Sequence, residues 1–132
     1  MNNGMKQKKK ILVVEDEAPL REVLRDNLEQ EGFTVVEAGD GSEGLRMANR
    51  EKPDLILLDI LMPKMDGMTM MEKFRTTKAG HAVPIMLLTN VAADKKIIKS
   101  LIKYMPVYYF DKSGRTIGEI ITRVKARLEV AE

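Results

Sequence analysis

Three acidic residues in this chain sit where apolar runs end. Glu15 and Asp16 follow the run ILVV at 11–14, and Asp59 follows LILL at 55–58. If those runs are neighbouring strands of a parallel sheet, the three acids converge at the carboxyl edge, where such folds bind their ligands. Taken singly, each acid could cap a helix or face solvent. Taken together they repel one another and lose hydration, so a purely structural role does not account for them. A divalent cation resolves the conflict. Hard oxygen donors in this number suit Mg²⁺, which keeps part of its water shell and bridges to phosphate. Two further run ends supply complementary groups: the hydroxyl of Thr89 after IMLL, and the cation of Lys112 after the aromatic run VYYF. An acceptor carboxylate, a metal and two donors are what a phosphoryl group in transfer requires. Alone, Thr89 is a β-favouring residue and Lys112 a surface lysine. Their position relative to the acids gives them weight.

The elements that must hold these groups follow from the pattern. Five apolar segments, at 11–15, 33–37, 55–59, 85–89 and 107–110, recur every twenty to thirty residues. The first, third and fourth lack alternation, as strands buried on both faces do, whereas the second alternates and the fifth is aromatic, which places those two nearer the edges. Between them Leu20, Val23, Leu24 and Leu28 recur at helical spacing, with Pro19 in the first turn and Gly32 as the stop. Asp40 with Glu43, and Thr116 with Glu119, form capping boxes, and Asp66 caps a helix carrying Met70, Met71 and Phe74. Ile97, Ile98, Leu101 and Ile102 mark a fourth helix, and Ile120, Ile121, Val124 and Leu128 a fifth. Strand and helix alternate five times. Right-handed crossovers then give a doubly wound α/β sheet with helices on both faces.

Composition narrows the function classes. The 132 residues suit one domain, 44% are hydrophobic, and 22 basic against 20 acidic residues leave a net charge of +2. No clustered basic excess argues for direct nucleic-acid binding. Residues 1–8, with Lys6 and Lys8, read as a flexible basic leader, and 9–132 as the folded domain. Cysteine is absent, which fits a reducing compartment. Apolar runs of four to five residues fall far below the ~20 needed to span a membrane, and no signal-peptide core follows the basic start. The expectation is a soluble cytoplasmic protein with no effector segment after the fifth helix. Five of the ten methionines lie between Met62 and Met71 and read as core fillers. Lys95, Lys96, Lys99 and Lys103 read as a solvated helix side, and the lone His81 carries no chemistry.

The segments ILVVEDE, DLILLDILMPKMDG, IMLLTN and YYFDKS, spread over residues 9–132, resemble the receiver domain of two-component response regulators, of the stand-alone chemotaxis-regulator kind. The resemblance implies a flavodoxin-like strand order 2-1-3-4-5. It implies Asp59 as phosphoacceptor for a histidine kinase or phosphotransfer protein, and Mg²⁺ held by Asp16 directly, by Glu15 through water, by Asp59 and by the backbone carbonyl of Leu61. Lys112 would pair with Asp59 and then with the phosphoryl oxygens. Thr89 and Tyr109 would switch the surface of the fourth helix, fifth strand and fifth helix toward a downstream protein partner. The protein would be no enzyme beyond its own phosphorylation and dephosphorylation, and a monomer or weak phosphorylation-dependent homodimer. Four features depart from the family pattern: Glu15 in place of Asp, Asn90 after Thr89, Ser113 in place of the Pro after Lys112, and the ends of the fourth helix. Without that proline the bond after Lys112 is expected to be trans. Asn90 and Ser113 slightly favour the alternative, a receiver that never takes phosphate and serves as a protein-binding module, while the intact set of Glu15, Asp16, Asp59, Thr89 and Lys112 argues against it. A phosphatase using Asp59 as nucleophile would need a second acid two residues on, and Leu61 stands there.

Overall fold

Apolar residues on both sides of a strand require cover on both sides of the sheet, and the fold supplies it. The computed structural model of the chain describes residues 8–60, 62, 65–89, 108–111 and 116–128, with the backbone alone at 89, 108, 109 and 111. Strands β1 (Lys10–Val14), β2 (Thr34–Ala38), β3 (Leu55–Asp59), β4 (Ile85–Thr89) and β5 (Tyr108–Asp111) form one parallel sheet in the order β2-β1-β3-β4-β5. Helices α1 (Ala18–Gln30), α2 (Gly41–Glu51) and α3 (Gly67–Arg75) follow the first three strands, and a final helix, Ile117–Leu128, follows β5. The expected order is the observed one, and the alternating and aromatic segments are the two edges. The basic leader through residue 7 and the fourth-helix expectation lie outside the described residues.

Period-two geometry splits each central strand between two cores. Ile11 and Val13, Leu55 and Leu57, and Met86 and Leu88 face α1 and the final helix. Leu12 and Val14, Ile56 and Leu58, and Ile85 and Leu87 face α2 and α3. The methionines are packed as expected: Met70 and Met71 are fully buried, and Met62, Met65 and Met68 lie partly buried against the second core.

Local chemistry fixes the ends. Pro19 stands in the first turn of α1, where a missing N–H is harmless. Asp40 accepts from Glu43 N–H at 2.8 Å, Asp66 from Thr69 N–H at 2.7 Å, and Thr116 Oγ1 from Glu119 N–H at 3.2 Å. Glu119 completes its box on Thr116 N–H, but Glu43 reaches one residue further back, to Gly39 N–H at 3.0 Å. Three strands are each shifted from expectation by one residue. β1 starts at Lys10 and ends before Glu15, β2 runs to Ala38, and β5 runs to Asp111. In the first two, backbone pairing with a neighbour sets the register, and side-chain polarity does not record it.

Candidate functional site

All five strands run parallel, so their carboxyl ends lie at the same edge of the sheet and the residues just beyond them gather there. β1 and β3 are neighbours with Val14 opposite Leu58, and Glu15 and Asp59 are the next residue on each. One carboxylate oxygen from each of Glu15, Asp16 and Asp59 lies within 4.8 Å of the others. Glu15 is fully buried and Asp59 is 3% exposed, while Asp16 faces solvent. The site is therefore a buried acidic pair with an accessible third member.

Hydrogen bonds at Glu15 and just beyond Asp59 hold the frame of the site. Glu15 N–H donates to Ala38 O at 3.0 Å, its carbonyl accepts from Arg21 Nη1 at 2.8 Å, and its Oε2 accepts from Glu17 N–H at 3.0 Å. The start of α1, three residues on, directs its positive end toward the acids. Beyond Asp59, Ile60 N–H donates to Leu88 O at 3.2 Å and Gly67 N–H donates back to Ile60 O at 2.7 Å. A Cβ on Gly67 would overlap Asp59 O and Ile60 Cα, so this closure requires glycine. The same loop is propped from α2, where Gly41 N–H donates to Met65 O at 3.0 Å and a Cβ on Gly41 would strike that carbonyl.

Thr89 ends β4, one residue past Leu88, which pairs with Asp59; this places its backbone at the edge that carries the acids. Tyr109 lies in β5 opposite Leu87. Lys112, the Leu61 carbonyl, Asn90 and Ser113 lie outside the described residues. His81 is exposed in a short turn at Ala79–His81, away from the acids. The sequence pattern did not single out Arg21, Glu37, Gly41 or the Met65 carbonyl. The only signal for Arg21 was a cation one turn into the helix that follows the acids.

Three hard oxygen donors of like charge, two of them buried, match what an oxygen-preferring divalent cation requires. Mg²⁺ fits that donor set.

The pattern that defines the response regulator receiver domain matches residues 11–125. The chain belongs to the response regulator receiver family. It is 40% identical over 124 residues to the alkaline phosphatase synthesis transcriptional regulatory protein PhoP of Bacillus subtilis (strain 168), a match covering 94% of this chain and 50% of that protein. The chain thus spans about half the length of this relative. Among solved structures, a putative response regulator from Chloroflexus aurantiacus J-10-fl is 27% identical with a TM-score of 0.82, covering 94% of this chain and 100% of that one. The Vibrio cholerae chemotaxis protein CheY4 shares the fold with a TM-score of 0.83 at 24% identity, over 92% of this chain and 100% of that one.

Proposed function

We propose that the chain is a phosphorylation switch that accepts a phosphoryl group on Asp59 from the phosphohistidine of a histidine kinase or phosphotransfer protein. The gathering of Glu15, Asp16 and Asp59 within 4.8 Å at the carboxyl edge is the observation that supports it most. A carboxylate oxygen of Asp59 attacks phosphorus, the P–N bond of the donor breaks, and its electron pair stays with the leaving imidazole. The product is an acyl phosphate on Asp59. Glu15, Asp16 and Asp59, with the Leu61 carbonyl, would hold Mg²⁺, which supplies neutralisation of charge on the phosphoryl oxygens when bound. Lys112 and the Thr89 hydroxyl would take the remaining phosphoryl oxygens.

Engagement of Thr89 favours one arrangement of the loops over another, and Tyr109 follows. The surface of the fourth helix, β5 and the final helix then changes for a downstream protein partner. The place of action is the cytoplasm, as a monomer or weak phosphorylation-dependent homodimer. Among the described residues no helix is long and apolar enough to cross a membrane. The transcriptional role in the Bacillus relative's name belongs to a protein of which this chain matches half. For these residues the proposed output is protein contact.

The test is Mg²⁺-dependent labelling by acetyl phosphate, on wild type and Asp59→Ala in parallel. One acid-stable, base-labile phosphoryl group is expected in wild type and none in the variant. Absence of label in a folded wild type would replace the switch with a phosphate-independent binding module.

A further inference from the structure

A chain of charged groups that the phosphoryl chemistry leaves unused braces the acidic edge from outside. Arg21, one turn into α1, donates from Nη1 to the Glu15 carbonyl at 2.8 Å and from Nε to Glu37 Oε1 at 3.2 Å. Arg25, one turn further, donates from Nη1 to Glu37 Oε2 at 3.1 Å. Glu37 belongs to β2 and immediately precedes Ala38, whose carbonyl accepts the N–H of Glu15. Both backbone polar groups of Glu15 are thus tied to the same stretch of β2, one directly and one through Arg21.

The geometry matters because the Glu15 carbonyl and the Asp16 N–H share one planar peptide unit. Fixing that carbonyl fixes the plane from which the Asp16 side chain departs, and Asp16 is the solvent-facing acid of the trio. We propose that Arg21, itself held by Glu37, is a positioning residue that sets the Glu15–Asp16 peptide so that the three acids can close on a divalent cation. This rests on the reading that the trio holds Mg²⁺.

Two effects of Arg21 oppose each other. Its charge repels an incoming cation, and its bond to Glu15 organises the ligands. Glu37 lies against the guanidinium at 3.2 Å and offsets the first effect, so the second prevails. A guanidinium covers a carbonyl and a carboxylate at once through its fork of donors. A lysine ammonium replaces that arrangement only in part.

The experiment is calorimetric Mg²⁺ titration of the full chain, with melting in EDTA measured alongside. The proteins are wild type, Arg21→Ala, Arg21→Lys, Glu37→Gln and the Arg21→Ala/Glu37→Gln double variant. Outer partners of metal ligands alter affinity by about 10–100-fold, and a brace one bond further out should give about 3–10-fold weaker binding in Arg21→Ala. Arg21→Lys should fall between that and wild type. Glu37→Gln should weaken binding by about twofold, and the double variant should bind no more weakly than Arg21→Ala, because Glu37 acts through Arg21. An unchanged or tighter Kd in Arg21→Ala would overturn the proposal, as would a lowered melting temperature with the Kd intact. Fully additive losses in the double variant would also overturn it. If Arg21→Ala does not fold, Arg21→Lys and Glu37→Gln decide by the same criteria. A wild type that binds no Mg²⁺ would remove the metal reading itself, and that shows in the first titration.

Discussion

At the scale of single residues, the site places function against stability. Glu15 and Asp59 are both buried, and Asp16 brings a third carboxylate within 4.8 Å. Two unit charges about 5 Å apart repel by about 3 kcal/mol at an effective dielectric constant of 20. Removing the Asp59 charge without changing shape relieves two such repulsions against the one pairing with Lys112 that the resemblance implies, so the metal-free protein should gain stability. Asp59→Asn is expected to be more stable than wild type in EDTA by about 1–3 kcal/mol. Wild type should gain about 1.4 kcal/mol at a Mg²⁺ concentration ten times its Kd, and the variant should lose that gain. Urea unfolding of both proteins with EDTA or Mg²⁺ measures all four states. A less stable Asp59→Asn in EDTA would show that the acids are not in net repulsion. These acids were legible in the sequence because a charge that closes a buried apolar run adds nothing to packing and loses hydration. Arg21 was not, since a helix surface carries many cations and only the fold shows which one reaches the Glu15 carbonyl.

Among the elements, the connection from β3 to α3 is tightly held at both of its described ends. It is closed by the bond from Gly67 N–H to Ile60 O, propped by the bond from Gly41 N–H to Met65 O, and followed by the Asp66 cap. Gly67→Ala must push backbone away from Asp59 O. The expected result is a loss of about 2–4 kcal/mol in urea unfolding, with labelling by acetyl phosphate slowed well beyond what the unfolded fraction explains. Near-normal labelling of the folded variant would mean that Asp59 does not depend on this closure. The caps were readable because each uses a local hydrogen bond between residues three apart. The Gly41–Met65 bond joins residues far apart in sequence, and local pattern does not carry it.

Across the whole molecule, ion pairs tie the layers where the cores end. Lys10 at the start of β1 bonds Glu51 at the end of α2 at 3.2 Å, and Lys125 of the final helix bonds Glu31 beside α1 at 2.6 Å. The bond from Lys10, helped by Arg50, lowers the Glu51 pKa below its ordinary value. A lowered carboxylate pKa contributes stability that is fully present above the unfolded value, about 4.3, and is lost as pH falls through the folded value. Wild type should therefore lose more stability than Lys10→Met between pH 6 and pH 3, and 0.5 M salt should narrow the gap. Parallel acid-side curves for the two proteins, followed by circular dichroism, would show that the pair adds nothing to pH dependence.

Local pattern alone specifies the alternation of strand and helix, the two-faced burial of the central strands, the caps and the identity of the three acids. Each of these is written in a short period or in residues a few positions apart. What depends on pairing between distant segments came from the assembled fold. Strand register put Glu15 one residue beyond its strand and beside Asp59, and the packing of α1 on β2 brought Arg21 and Glu37 onto the Glu15 peptide. Side-chain pattern says which face a residue takes. Only the backbone hydrogen bonds of the assembled sheet say which residue it meets there.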